Sequence, residues 1–124
     1  MKKAIVVVLS LMFVFAMASM SFAAEKKMAA KRAQAVPTMQ VDNERVTVTE
    51  WRFSPGAETG WHRHGHDYVV VPMKDGKLLL ETSSGDLVSE LHCGRSYFKH
   101  AGVEHNVVNP SKEEFVFVEI EIKP

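Results

Sequence analysis

The chain has 124 residues, with 15 basic and 15 acidic side chains. This length suits one small domain with a single core, and the balanced charge, with no basic patch, argues against nucleic-acid binding. Cys93 is the one cysteine of the chain, which excludes an intramolecular disulfide.

The first residues have the order typical of a secretory signal peptide. Lys2 and Lys3 precede the apolar run 4–20, and a small-x-small ending, Ser21-Phe22-Ala23-Ala24, follows. This order predicts a signal peptide over residues 1–23, cleaved after Ala23; an uncleaved membrane anchor is the alternative, because the run approaches the length of a short spanning helix. We expect cleavage and a periplasmic or secreted product that has no membrane contact. Loss of the two lysines leaves 13 basic against 15 acidic residues.

The rest of the chain divides into a leader and a domain. Residues 24–37 are rich in Lys, Arg and Ala and end at a proline, which predicts a flexible leader. Residues 38–124 contain short strand-like runs separated by turn signals, and both Asp75-Gly76 and Ser84-Gly85 predict β-hairpins. With no amphipathic helix and no internal repeat, this pattern predicts an all-β sandwich or barrel.

Two predicted strands carry expectations about their buried faces. Between Val48 and Trp51 the apolar alternation changes parity, which predicts a bulge or a change of buried face. In the last strand Glu119 and Glu121 alternate with aliphatic residues, and we expect both on its solvated face. The aromatic residues are expected mostly in the core or at an interface. They are Trp51, Phe53, Trp61, Tyr97, Phe98, Phe115 and Phe117.

Three histidines alternate along the stretch from Gly56 to Gly76, at positions 62, 64 and 66. Successive side chains of a strand point to opposite faces, so His62 and His64 share a face and can converge on one point. Imidazole is a good ligand for transition metals. This stretch is therefore the predicted site.

The chain resembles the cupin superfamily, whose two motifs are written G(X)5HXH(X)3,4E(X)6G and G(X)5PXG(X)2H(X)3N. The residues that match the first motif are Gly56, His62, His64 and Gly76. The residues that match the second are Gly94, Gly102, His105 and Asn109, with His100 where proline is usual. More loosely, the chain is similar to small single-domain cupins, some of which carry a β-alanine degradation label. The resemblance implies a cupin jelly-roll β-barrel over residues 38–124.

The resemblance also implies a metal site inside the barrel. A divalent transition metal, either Fe, Mn, Ni, Cu or Zn, would be held by His62, His64 and His105. The carboxylate of the first motif should fall at position 68 or 69, where this chain has Tyr68 and Val69 instead. The match thus supplies three ligands and leaves the fourth in question.

Three arrangements follow from the missing carboxylate. One is an open three-histidine site, as in the thiol dioxygenase branch of the cupins. Another is a four-ligand site completed by His66, Asp67 or Tyr68. The last is a metal-free pocket in which the histidines bind an anionic or polar ligand directly. A neutral ligand set would leave the metal's charge uncompensated and favours an anionic substrate.

Two classes of function remain open at this point. The first is a metal-dependent enzyme, dioxygenase-like or isomerase-like, acting on a small polar or carboxylate molecule. The second is a non-catalytic module that binds metal or a small ligand. Tyr68 is the one catalytic candidate, as a proton donor or as a group that orients the ligand. We also expect a homodimer, because small barrels with apolar outer strands commonly pair.

Overall fold

The structure is a computed structural model that describes residues 31–124, and within this range it contains strands and no helix. The predicted signal peptide and the first part of the leader, up to residue 30, lie outside the described residues. The strands are β1 (Val36–Asp42), β2 (Val46–Phe53), β3 (His62–Arg63), β4 (Asp67–Pro72), β5 (Gly76–Thr82), β6 (Gly85–Leu91), β7 (Tyr97–Lys99), β8 (Glu104–Val108) and β9 (Phe115–Ile122). The all-β prediction is confirmed. Residues 31–124 include no helix of the length and hydropathy needed to span a membrane.

The strands form two antiparallel sheets. One sheet has the order β1-β2-β9-β4-β7 and the other has the order β3-β8-β5-β6. Side chains from both sheets meet in one core, in which Phe53 and Phe117 of the first sheet pack with Leu78 and Val107 of the second. The core therefore lies between the sheets, as expected for a jelly roll.

One of the two predicted hairpins is correct. The Ser84-Gly85 turn joins β5 to β6, which pair from Gly76↔Leu91 to Thr82↔Gly85. The Asp75-Gly76 prediction is wrong, because β4 and β5 belong to different sheets and the turn carries the chain between them. Gly76 is needed there for space, since a Cβ at this position would lie 2.8 Å from Cδ2 of Phe115.

The predicted irregularity of β2 lies on its neighbour instead. β2 pairs with β9 without interruption from Val46↔Ile122 to Phe53↔Phe115, whereas the register of β1 against β2 shifts between Met39 and Val41. The apolar parity of β2 changes because both faces of this strand carry apolar residues: Trp51 packs against the core, and Val48 points to the opposite face.

The expectation of a solvated Glu119 is also wrong. This side chain is 9% exposed and shares the inner face of β9 with the core residues Phe115 and Phe117, because residues two apart in a strand point the same way. Val118 and Ile120 have the opposite parity and lie on the outer face, where they are half-buried. Glu121 shares this inner face and is half-buried, so both carboxylates lie on the side of the strand that faces the core.

The aromatic residues divide between core and surface. Phe53, Phe115 and Phe117 are buried in the core, with Trp51 and Tyr97 packed against it. Trp61 and Phe98 are instead 52% and 48% exposed.

Candidate metal centre

The backbone brings the three predicted ligands together from two parts of the chain. In the pairing of β3 with β8, His62 lies directly opposite His105, and side chains at such opposed positions point to the same face. His64 follows β3, and its backbone is held by hydrogen bonds between His64 N and Val103 O, at 2.9 Å, and between Gly102 N and His64 O, at 2.8 Å. All three imidazoles therefore enter one small region.

The same nitrogen of each imidazole faces the common point. Nε2 of His64 lies 3.0 Å from Nε2 of His62 and 3.1 Å from Nε2 of His105. A metal that is bound through nitrogen at about 2.1 Å, with ligand angles near 90°, separates neighbouring nitrogens by roughly 3.0 Å. The spacing and the donor chemistry of the three histidines both fit a transition metal.

Hydrogen bonding and burial prepare these nitrogens to accept a cation. Nδ1 of His62 lies 2.9 Å from the carbonyl oxygen of Gly60, which can only accept, so Nδ1 carries the proton and Nε2 keeps its lone pair. Burial, followed by the charges of the neighbouring imidazoles, lowers the pKa of His64 to about 4. Burial, followed by the charges of His62 and Lys99, lowers the pKa of His105 to about 4. Both rings are therefore neutral at pH 7.

The positions around the missing carboxylate do not supply a fourth ligand in this arrangement. The Tyr68 ring stacks on the His64 ring, with centroids 3.9 Å apart and planes 16° apart, and burial raises the pKa of the Tyr68 phenol well above its usual range. Oδ1 of Asp67 accepts a hydrogen bond of 2.7 Å from the backbone N–H of Ala101. Within residues 31–124, the group of potential ligands around this point consists of His62, His64 and His105, without His66.

Glu119 is a site residue that the sequence prediction missed. Glu119, Glu121 and His64 form a second group of potential metal ligands, whose ligand atoms all lie within 4.8 Å of one another. His64 is the residue that this group shares with the histidine triad. Burial, followed by the charge of Glu121, raises the pKa of Glu119 to about 7. The signal was present in the sequence, since Glu119 has the same parity as the core residues Phe115 and Phe117.

A cavity of about 360 Å³ adjoins the histidines and lies between the two sheets. Apolar side chains such as Leu78, Val107 and Phe117 form much of its wall. Its polar lining includes the three histidines, Tyr68, Tyr97, Lys99 and Glu119. A mainly apolar pocket with a few convergent polar groups is typical of a small-molecule site, and this volume is near the lower end of the usual range of about 300–1,000 Å³.

The asparagine of the second motif has a structural role. Asn109 is fully buried, and its Nδ2 donates hydrogen bonds to the carbonyl oxygens of Phe53, at 3.2 Å, and Glu113, at 2.7 Å. Its backbone oxygen accepts a hydrogen bond from Gly56 N at 2.9 Å. These bonds connect the loop before β9 to the end of β2.

The other two histidines of the described chain outside the 62–66 stretch and the triad, His92 and His100, are exposed.

The fold and the site together define the class of protein. Residues 49–121 match the family described as the cupin domain, and this match covers more than half of the chain. The chain therefore belongs to the cupin family and is a small single-domain cupin.

Particular relatives agree with this assignment. The curated beta-alanine degradation protein BauB of Pseudomonas aeruginosa is 70% identical over 92 residues, which are 74% of this chain and 97% of that protein. The crystal structure of a cupin domain from Bordetella pertussis Tohama I is 68% identical, with a TM-score of 0.75 over 76% of this chain and 98% of that chain. A Klebsiella pneumoniae protein with a double-stranded beta-helix domain is 22% identical, with a TM-score of 0.62 over 74% of this chain and 79% of that chain, and shows likeness of fold alone.

Proposed function

We propose that this protein is an exported, metal-dependent cupin that acts on a small polar or carboxylate molecule. The observation that carries the proposal is the convergence of the Nε2 atoms of His62, His64 and His105. Nε2 of His64 lies 3.0 Å from that of His62 and 3.1 Å from that of His105. When bound there, a divalent transition metal would supply Lewis acidity to a substrate oxygen. Three neutral ligands leave its charge uncompensated, which favours an anionic group on the substrate.

The chain's own residues would bind and orient that substrate. Tyr68 keeps its proton, because burial raises the pKa of its phenol, so it is suited to donate a hydrogen bond and is a poor base. Its stacking on His64 fixes it beside the predicted metal site. The apolar wall formed by residues such as Leu78 and Phe117 would limit the access of water to the bound molecule.

The name of the curated relative supports a substrate class. That protein is called a beta-alanine degradation protein and is 70% identical to this chain over 92 residues. We therefore place the activity of this chain in the degradation of a small amino acid or of a product derived from one. An oxygenation or an isomerisation is the reaction class that a three-histidine site with open positions suits.

A metal experiment tests the proposal. Protein purified without a metal-capturing tag should contain about one transition-metal ion per chain, as expected for one three-histidine site, and His62→Ala should lose it. His92→Ala is the matched control, because His92 is exposed and lies outside the triad. Absence of metal from the wild type, together with no gain in thermal stability on metal addition, would contradict the metal proposal.

A non-catalytic binding module is the second candidate function. It is favoured by the state of Tyr68, since a phenol with a raised pKa is a poor base. Metal-loaded protein should be incubated with a panel of small thiols, amino acids and keto acids, while oxygen uptake and product formation are measured. Turnover of any member supports the enzyme, and binding without turnover of the panel supports the module.

Export is a further part of the proposal, and it rests on the order of parts in residues 1–24. The protein isolated from the producing cell should begin at Ala24 and should be found in the periplasm or the medium. N-terminal sequencing of each cell fraction tests this, and a cytoplasmic protein that begins at Met1 would contradict it.

We also propose a homodimer that is formed through the outer face of the five-stranded sheet. Strand pairing places one row of apolar side chains across this face, because directly paired residues point the same way. The row consists of Val41, Val48, Ile120, Val69 and Phe98. Val71 and Val118 extend it, and the charged residues Glu50, Arg52 and Asp67 border it. An apolar centre with a polar border is the composition of a protein interface, and a two-fold dimer buries the same patch on both copies.

A further inference from the structure

Glu119 is a carboxyl group that the metal proposal does not use. It is 9% exposed, lines the cavity, and has the carboxyl of Glu121 as its charged neighbour. Its hydrogen-bond partner is the carboxyl of Glu121, and among residues 31–124 no amide, amine, guanidinium or hydroxyl group donates a hydrogen bond to it. The free energy of burying such a carboxylate is unfavourable unless a cation or a donor compensates it.

Two tyrosines extend the polar surface around Glu119. Tyr97 and Tyr68 line the same cavity, and after burial the charge of Glu119 contributes to the raised pKa of Tyr97, which is about 12. Both phenols therefore keep their protons. Lys99 also lines the cavity, on the exposed part of the wall.

Apart from the exposed side chains of Glu90 and Lys99, the charges of the cavity are arranged in two parts. The histidine triad would carry the positive charge of a metal, whereas Glu119 belongs to a group that shares only His64 with the triad. A ligand that fits both parts has an anionic group for the triad and a cationic group for Glu119. Small amino acids are molecules of this kind.

We infer that Glu119 binds the amino group of a small zwitterionic amino acid whose carboxylate faces the histidine triad. This inference rests on the proposed function, because it takes the triad as the site of the anionic group. It names Glu119 as the residue that selects amino acids over simple carboxylic acids. Tyr68 and Tyr97 can donate hydrogen bonds to the ligand but cannot replace the negative charge.

The test compares two ligands that differ only in the cationic group. β-Alanine and propionate share a three-carbon carboxylate, and only β-alanine carries an ammonium group. Their affinities are measured by isothermal titration calorimetry at pH 7.5 on the whole chain as isolated and loaded with Zn²⁺. Because one hydrogen bond to a charged group changes an affinity by about tenfold or more, wild-type protein should bind β-alanine at least about tenfold more tightly than propionate, which has no donor for Glu119.

Two variants separate recognition from folding and metal binding. Glu119→Gln keeps the shape of the side chain and removes its charge, so the ratio of the two affinities should fall to about one, with the Zn²⁺ content unchanged. Glu113→Gln is the matched control, because Glu113 is an exposed carboxylate outside the cavity lining. It should keep the wild-type ratio within about twofold, as expected for a solvent-screened charge.

Each contrary outcome overturns a definite part of the reasoning. Equal binding of the two ligands by wild type, or a preference that survives in Glu119→Gln, would overturn the inference and leave the proposed function intact. Loss of Zn²⁺ from Glu119→Gln would make Glu119 a metal ligand and would also overturn it. If neither ligand binds the zinc-loaded protein, the proposed carboxylate site fails as well.

Discussion

Replacing Glu119 with glutamine should change how the stability of the metal-free protein depends on pH. Glu119 has a pKa of about 7 in the folded chain against 4.5 as its ordinary value. The folded state therefore holds its proton more tightly than the unfolded state, and wild-type stability falls as the pH rises from 4.5 through 7. Glutamine does not ionise, so Glu119→Gln lacks this loss.

The size of the effect follows from proton linkage. Integrated over the two pKa values, about 7 and 4.5, the stability of Glu119→Gln relative to wild type should increase by about 2.5 kcal/mol between pH 5 and pH 8. His64 and His105 act in the opposite direction, because their pKa values are lowered to about 4 and stability is lost as the pH falls below 6.5. Their contribution is common to both proteins and cancels in the difference.

Urea unfolding measures the difference directly. Both proteins are unfolded at pH 5, 6, 7 and 8 with chelator present and at one protein concentration, with far-ultraviolet circular dichroism as the signal. Glu44→Gln is the control, because Glu44 lies on an exposed turn, and its stability difference from wild type should not change with pH. A stability difference for Glu119→Gln that is constant from pH 5 to pH 8 would refute the burial of an ionisable carboxyl at this position.

Three further predictions concern packing, assembly and ligand binding. Gly76→Ala should destabilise the fold by about 1–3 kcal/mol in the same urea titration, because a Cβ there would lie 2.8 Å from the Phe115 ring. Gly65→Ala is the control, since a Cβ at position 65 would have no atom within 4 Å. Equal stabilities of the two variants would contradict the prediction. Ile120→Asp should convert the dimer to a monomer in light scattering, since it places a charge at the centre of the apolar row; a monomeric wild type, or a dimeric variant, would contradict the interface. Tyr68→Phe should leave the metal content unchanged and weaken propionate binding about tenfold, because one hydrogen bond to a charged group is lost. Calorimetry measures the affinity, and an unchanged value would mean that Tyr68 does not contact the ligand.

The sequence was sufficient for the fold class and for the grouping of the histidines. Period-two alternation and turn residues indicate strands wherever one face is buried. The approach of His62 to His105 came from the resemblance to the cupin motifs, because nothing local indicates that β3 pairs with β8. The spacing of residues along one strand can show which of them share a face, but not what lies opposite.

The two failures have separate physical causes. Glu119 was expected in solvent because Val118 and Ile120 are apolar, yet those residues lie on the outer face and the carboxylate points inward with Phe117. The Asp75-Gly76 turn was expected to form a hairpin, but it carries the chain from one sheet to the other, and its glycine is required by the approach of Phe115. The parity that Glu119 shares with Phe115 and Phe117 was the available signal for its burial, whereas no local signal shows that β5 joins the other sheet.

Elemental analysis of the native protein is the most direct test of the central claim, that the histidine triad holds a metal. The protein is purified without a metal-capturing tag, and metal content is measured for wild type, His62→Ala and His92→Ala. The prediction is about one transition-metal ion per chain in wild type and His92→Ala, and a loss of nearly all metal in His62→Ala. Metal-free wild type that does not gain thermal stability on addition of Zn²⁺, Fe²⁺, Mn²⁺, Ni²⁺ or Cu²⁺ would contradict it.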